Sequence, residues 1–368
     1  MGVPLIDLSA MHAEIERELD QAWQEVSRSG HFIGGQTVEN FESAWSDYCE
    51  VRHCVGVASG TAALQLSLAA LGIGPGDEVI VPANTFFATA EAVLAVGAKP
   101  TFVDVSPTTL LMTASGVQEA ITSRTAAVIV VHLYGQPADM DAIGRVAAAA
   151  GIAVVEDAAQ AHGARWQGKH VGGLSHAGCF SFYPGKNLGA FGDAGAVVTN
   201  DEALAERVRS LSDHGRHRGG HHRHERPGGT HRLDALQAAI LSVKLRRLDA
   251  WNAGRRRAAE WYARLLAELP VEPVQTALGA SSSHHLAVIR TPRREHLRRR
   301  LAAEDIATAV HYPIPCHRQP AFEADHFPDL PVAEQAAGRV LSLPMHPHLT
   351  ETDVERVATV IAAALAEP

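Results

Sequence analysis

The chain has 368 residues, 46% hydrophobic and 20% charged, with a formal net charge of −9; this describes a globular protein too long for one core, so two domains are expected. The acidic balance gives no reason to expect nucleic acid as a partner, and no apolar run reaches the length that spans a membrane. The four cysteines, Cys49, Cys54, Cys179 and Cys316, show neither C-x-x-C spacing nor disulfide density, which suits free thiols in a reducing cytoplasm. The start "MGVPLIDLSAMHAEIEREL" lacks the basic stretch and apolar core of a signal peptide, and a cytoplasmic protein is expected.

From residue 53 to about 200, short apolar runs alternate with Ala- and Leu-rich helical stretches. "HCVGVAS" precedes "TAALQLSLAALG", "DEVIVP" precedes "ATAEAVLAVG", "PTFVDV" precedes "SGVQEAIT", and "TAAVIVVHLYG" precedes "DMDAIGRVAAAAG". "IAVVEDA", "GCFSFY" and "GAVVTN" follow. Strands that are apolar throughout belong to a sheet covered on both faces, and this alternation predicts βαβ units with a mostly parallel sheet. The 214–231 segment, rich in Gly, His and Arg, reads as a long loop. A long helical region then runs from Leu233 to near Pro270. Beyond it the pattern is α+β: "SHHLAVIR" as a strand, "REHLRRRLAAEDI" and "TDVERVATVIAAALAE" as helices.

Three places combine into a chemistry. In "VASGTAALQL" (57–66) a strand ends in Ser59-Gly60-Thr61 and a helix begins at once. The free N–H groups and positive dipole end of such a helix suit a phosphate, although an ordinary N-cap has the same appearance. In "IAVVEDAAQAHGA" (152–164) a strand ends in Glu156-Asp157. That puts a carboxylate at the edge where open α/β sheets bind ligands, unless it too is only a cap. The third place is "CFSFYPGKNLGAFGDAGAVV" (179–198), which holds Lys186, one of four lysines in a chain that otherwise uses arginine. Only the lysine ammonium shifts its pKa readily. Near an apolar, Gly-rich turn it can become a nucleophile, the alternative being a solvated loop lysine. Together the three are the anchors that pyridoxal phosphate requires for its phosphate, ring nitrogen and aldehyde. Phe86, in "PANTFFATA", is the expected stack on the ring.

With these motifs the chain resembles the DegT/DnrJ/StrS-type sugar aminotransferases. The resemblance runs from "SGHFIGGQTVENFE" through "SGTAAL", "EVIVPANTFFATA", "VHLYGQPADMDAI", "VVEDAAQAHGA", "FSFYPGKNLGAFGD", "RLDALQAAILSVKL" and "HYPIPCHRQPAF" to "LSLPMHPHLT". It implies the α/β fold type I of pyridoxal-phosphate-dependent transferases: a mostly parallel seven-stranded sheet in a large domain over 1–245, and a smaller C-terminal α+β domain over 246–368. It implies Lys186 as the Schiff-base lysine and proton carrier, with Asp157 paired to the pyridine nitrogen. Gln160, one helical turn on, would bond the ring oxygen. Gly60, Thr61, Ala62 and Ser181 would hold the phosphate, and Phe86 would stack. A homodimer with shared active sites is implied, each completed by the 214–231 segment of the other subunit.

The implied reaction moves nitrogen from an amino acid, L-glutamate being the expected donor, onto the cofactor as pyridoxamine phosphate. A nucleotide-linked keto-deoxysugar then accepts it, a 3-keto-6-deoxy sugar of antibiotic or surface-glycan assembly. Tyr183, His311 and Tyr312 would contact the sugar, or else only pack around the cleft. Rival readings are transamination of a keto-cyclitol and a pyridoxal-phosphate sensor without turnover; dehydratase relatives carry His in place of the lysine. Three positions depart from the family pattern. Thr230 stands where an Asn commonly reaches the partner's phosphate, Ala62 where Asp is frequent, and Ala194 where Gly is usual. The His-rich run lacks a recurring metal-ligand spacing and reads as a solvated loop, so no metal is expected.

Overall fold

The computed structural model describes residues 2–217, 222–322 and 325–367. Residues 218–221 of the 214–231 segment expected to complete a partner's site lie outside the described residues. Three helices, α1 (Leu8–Ala13), α2 (Glu16–Ser29) and α3 (Gln36–Tyr48), precede β1 (His53–Val57). Then α4 (Gly60–Ala70), β2 (Glu78–Pro82), α5 (Ala88–Ala95), β3 (Lys99–Val103), α6 (Ala114–Ala120), β4 (Thr125–Val131), α7 (Met140–Ala150) and β5 (Ala153–Asp157) alternate as the sequence predicts. A small hairpin, β6 (Arg165–Trp166) and β7 (Lys169–His170), leads to β8 (Ala177–Ser181), β9 (Gly195–Thr199) and α8 (Glu202–Ser212). Two helices follow, α9 (Ala235–Leu245) and α10 (Leu248–Leu265), then β10 (Glu272–Pro273), β11 (Ala280–Ser281) and β12 (Ala287–Arg290). The chain closes with α11 (Arg294–Ala303), α12 (Pro331–Arg339), β13 (Val340–Leu343) and α13 (Glu351–Ala366). Among the described residues no helix is long and apolar enough to cross a membrane.

Seven strands form one sheet in the order β1-β9-β8-β5-β4-β2-β3. All neighbours from β8 across to β3 pair in parallel, whereas β9 is antiparallel to both β8 and β1. Six strands therefore point one way and β9 alone is reversed. Val79, Ile80 and Val81 of β2 and Val128, Ile129 and Val130 of β4 are completely buried, because helices cover both faces of the sheet. Helix α4 is apolar nearly all round and buried to match, whereas α2 turns only Leu19, Ala22 and Val26 inward. The C-terminal residues build a second sheet, β10-β12-β13, antiparallel throughout. Its core gathers Tyr262, Leu297, Leu341, Leu343, Val357 and Ile361.

One expectation is corrected. The single helical region from 233 to about 270 is two helices, with Arg246 and Arg247 in a turn where Arg247 N–H donates back to Lys244 O at 2.9 Å. The reason is competition between two cores. Leu241 of α9 packs with Phe41 and Trp45 of α3, whereas Ala258 and Tyr262 of α10 pack in the C-terminal core. A straight rod could not face both.

Candidate active site

A single edge of the large sheet collects the chemistry. Because six strands are parallel, the C-terminal ends of β1, β2, β4, β5 and β8 lie side by side, where open α/β sheets bind ligands. These ends carry Ser59-Gly60, Thr85-Phe86, His132-Tyr134, Asp157 and Ser181. The reversed β9 begins at the same edge, so the 182–194 connection carrying Lys186 needs no crossover.

At the end of β1, Ser59 caps α4, its Oγ accepting from Ala62 N–H at 3.1 Å. The cap is therefore Ser59, and Gly60 and Thr61 open the helix with N–H groups that have no intrahelical partner. A Cβ on Gly60 would lie 2.6 Å from Ser181 Cβ and 3.3 Å from its Oγ. A Cβ on Gly195 would lie 2.4 Å from the Ser59 carbonyl. Only glycine at both positions lets β8, β9 and the α4 N-terminus close into one cradle. N–H groups, the Ser181 hydroxyl and a positive dipole end are the donor set that a phosphate takes.

The two acids at the end of β5 point to opposite faces, as successive strand residues must. Glu156 turns away from the edge and is completely buried. Its Oε1 accepts from Leu174 N–H and the Ser175 hydroxyl, both at 2.9 Å, and its Oε2 from Gly172 N–H at 2.6 Å and His132 Nε2 at 3.1 Å. His132 Nδ1 accepts from Ala138 N–H at 3.1 Å, so the proton sits on Nε2. This carboxylate is a structural tie. Glu156→Ala is expected to lower unfolding stability by about 3 kcal/mol by orphaning two buried and two part-buried donors; the urea midpoint measures it.

Asp157 turns into the site. Its Oδ2 accepts from Thr89 Oγ1 at 2.8 Å, and Thr89 Oγ1 in turn accepts from Thr85 Oγ1 at 2.8 Å. Burial holds the Asp157 carboxyl above the usual aspartate range, with Thr89, Ala159 N–H and the Lys186 charge pulling the other way. A carboxylate so placed gains from any cation brought against it, including the protonated nitrogen of a pyridine ring. Burial also pushes the Lys186 ammonium down to about 8, the Asp157 charge opposing. Each group thus senses the other's charge across the site. Among the described residues Lys186 Nζ has no hydrogen-bond partner, while its backbone N–H is held by Tyr183 O at 2.8 Å.

A pH dependence of stability follows. An unfolded lysine keeps its proton to about 10.4, whereas folded Lys186 releases it at about 8. Between these values the unfolded chain binds more protons, so this group's contribution to stability rises with pH. Lys244 acts with the same sign, and the buried cysteines with the opposite one. The checkable quantity is therefore a difference. Relative to cofactor-free wild type, Lys186→Met loses ground in Tm as pH rises from about 8 to about 10.

Gln160 lies in a series of turns rather than one helical turn beyond Asp157, as Ala161 N–H to Ala158 O and Ala164 N–H to Ala161 O show. Its Oε1 accepts from Tyr134 N–H at 2.7 Å and its Nε2 donates to Tyr312 Oη at 3.0 Å. Phe86 is exposed, with its ring 5.7 Å from that of Tyr312. His311 is tied by Nδ1 to Ser342 Oγ at 2.8 Å, and its carbonyl accepts from Tyr134 Oη at 2.6 Å. Burial, aided by the Lys186 charge, pushes His311 down to about 4 and His162 to about 3, and His285 well below its ordinary value. Three imidazoles are thus near enough to feel the lysine's charge, and all three are neutral. Tyr183 stands exposed three residues before it.

Thr230 is not tied to these residues within its own chain. It is exposed, and its hydroxyl pairs with His214 Nε2 at 3.0 Å. Sequence reasoning missed Thr85, Thr89, Tyr134, Asn187 and His285. The four-residue spacing of Thr85 and Thr89 is the one local signal, although Thr85 lies ahead of α5 and the bend before the helix, not a helix face, brings the two hydroxyls together. The other three act through partners far away in the chain. A cleft of about 1120 Å³ between α3, α8 and residues 213, 216, 217, 225 and 226 is lined by opposed Arg and Glu side chains. None of the candidate residues lines it, and the chemistry is elsewhere.

The sheet, with its reversed strand and the edge that brings lysine and carboxylate together, is that of fold type I pyridoxal-phosphate transferases, and the protein is an aminotransferase of this class. It belongs to the DegT/DnrJ/EryC1/StrS aminotransferase family, whose profile matches residues 13–362. It is 48% identical to the erythromycin biosynthesis sensory transduction protein EryC1 of Saccharopolyspora erythraea, over 99% of this chain and all of that one. It is also 48% identical to the dTDP-3-amino-3,4,6-trideoxy-alpha-D-glucose transaminase of Streptomyces venezuelae, over 96% of this chain and 94% of the other. The crystal structure of S. venezuelae DesV in complex with a ketimine intermediate superposes with a TM-score of 0.97 at 46% identity, covering 100% of this chain and 99% of that one.

Proposed function

We propose that the protein transfers the amino group of L-glutamate to the 3-keto carbon of a nucleotide-linked 6-deoxy sugar, with Lys186 as the carbonyl-reactive lysine. The observation that carries this reading is the burial of Lys186 and Asp157 within range of each other's charge, at the same sheet edge as the cradle of Gly60 and Ser181. The transaminase name of the 48%-identical relative from S. venezuelae supports the substrate class. Bound pyridoxal phosphate supplies an electrophilic carbonyl and an electron sink.

This chain's residues supply the rest. Gly60, Thr61, Ala62 and Ser181 would hold the phosphate, Phe86 would stack on the ring, and Asp157 would keep a proton on the pyridine nitrogen through Coulomb attraction. Gln160 would reach the ring oxygen with the N–H that Tyr312 leaves free. Lys186, easily deprotonated, takes a proton at Nζ from the Cα of the donor and later delivers one to C3 of the sugar. Tyr183, His311 and Tyr312 border the space where that sugar is placed.

The proposal includes a homodimer. Phe32, Ile33, Phe86, Tyr183 and Phe191 are large and exposed, and Phe32 O accepts from Ala235 N–H beside the site. A second copy covering them would bring Thr230 to the partner's phosphate. We also propose that residues 1–245 and 246–368 act as the large and small domains.

The experiment is the visible spectrum of the purified protein with L-glutamate, then with a dTDP-linked 3-keto-6-deoxyhexose. The visible band is expected to bleach with glutamate and return with the keto sugar, giving the amino sugar. The name of EryC1 favours a second reading, a cofactor-holding sensor without turnover. A band unchanged by every amino acid would support it and refute transamination here. A band restored only by a keto-cyclitol would move the substrate class and leave the chemistry intact.

A further inference from the structure

The turn that carries Lys186 is secured from three sides. It closes on itself through Phe182 O, which accepts from Ala190 N–H at 2.7 Å, and through Gly189, where a Cβ would lie 2.2 Å from Pro184 O. On one flank, Asn187 Nδ2 donates to Asn252 Oδ1 and to Ser283 O, both at 2.9 Å, and its Oδ1 lies 3.1 Å from His285 Nδ1. On the other flank stands α9. Gln237 Oε1 accepts from Phe191 N–H at 2.8 Å, and Lys244 Nζ donates to Gly189 O at 2.7 Å.

Lys244 is 1% exposed. Its Nζ also donates to His12 Nε2 of α1 at 2.8 Å and lies 4.7 Å from the centre of the Phe191 ring, against which His12 packs edge-on at 4.8 Å. Among the described residues no carboxylate pairs with it. An ammonium buried without a counter-charge is costly, and burial pushes this one down to about 8. If packing were all that the place required, a methionine or leucine would fill it more stably. What the ammonium adds is a donor aimed at a carbonyl three residues beyond Lys186, anchored on the N-terminal helix.

We propose that Lys244 is a positioning residue of this aminotransferase: anchored by His12 and Phe191, it holds Gly189 O and so fixes the turn that presents Lys186. The proposal rests on the reading of Lys186 as the carbonyl-reactive lysine.

The test compares wild type, Lys244→Met, Lys244→Gln and Lys186→Ala. Amide hydrogen exchange is measured on the cofactor-free full-length proteins, and the visible band with added pyridoxal phosphate is titrated with pH. Lys244→Met is expected to exchange residues 183–192 about tenfold faster while β4 and β5 stay protected. Its cofactor Kd is expected to rise by about tenfold, with a shifted midpoint of the visible band. Lys244→Gln keeps a neutral donor and recovers part of both. Wild-type exchange at 183–192 with an unmoved midpoint overturns the proposal, as does acceleration spread evenly over the sheet. If Lys244→Met does not fold, Lys244→Gln decides, and wild-type behaviour in both readouts overturns the proposal. A visible band that survives in Lys186→Ala overturns the underlying reading instead. Loss of that band with an unresponsive Lys244 overturns only the proposal.

Discussion

Lys186→Ala is expected to lower kcat for transamination by at least about 10⁴-fold, the upper range for general acid–base groups, because the same atom also attacks the carbonyl. No other residue at the site can take over. His162, His285 and His311 feel the lysine's charge, but burial holds all three far below their ordinary pKa, and a weak base does not remove a proton from carbon. His285 is also committed to Asn187, and His311 to Ser342. Lys186→Arg should be equally inactive, since a guanidinium neither gives up its proton nor reaches the attack geometry. Small primary amines added to Lys186→Ala should restore part of the rate, because what is missing is an amine and not the cradle. The check is a single-turnover measurement with L-glutamate, read as loss of the visible band. Bleaching at a wild-type rate in Lys186→Ala would show that another group carries the proton.

Asp157→Asn is expected to lower kcat by about 10²–10³-fold, the range seen when one preorganised electrostatic contact is removed. The substitution is nearly isosteric and preserves an acceptor for Thr89 Oγ1, which lies 2.8 Å from Oδ2. The fold should therefore hold while the charge disappears. Two consequences separate this from a packing defect. The Asp157 charge raises the Lys186 pKa against desolvation, so in Asp157→Asn the lysine of the cofactor-free protein should titrate below about 8. Thr89→Val, which removes a donor and leaves the charge, should cost only about tenfold. Reductive methylation of Lys186 against pH reads the first, and steady-state kinetics the second. Equal losses in Asp157→Asn and Thr89→Val would point to misplacement of the strand end instead of charge.

Much of the architecture was legible along the chain. Apolar runs such as "DEVIVP" and "TAAVIVV" read as strands covered on both faces, with Asp157 closing one strand and Gly60 and Lys186 each following another. Their meeting at one edge follows from parallel topology. The break between α9 and α10 was not legible, because Arg246 and Arg247 are good helix formers and the turn is imposed by two cores pulling on one segment. Residue type alone does not separate the two acids of "VVED": the family resemblance singles out Asp157, and the strand's pleat supplies the reason by sending Glu156 to His132 and Asp157 to Thr89.

Residue type and spacing along the chain therefore carry the class of chemistry: a lysine in an arginine-rich chain, a strand-end carboxylate and a glycine helix start. How those groups are held and tuned depends on long-range packing. The Thr85–Thr89 relay reaches Asp157 across 68 positions of chain, and Lys244 reaches Gly189 across 55. The low pKa of Lys186 arises from burial by elements far from it in sequence. Such contacts depend on which distant segments fold against one another, and desolvation is a property of the packed volume around a group, which no local pattern encodes.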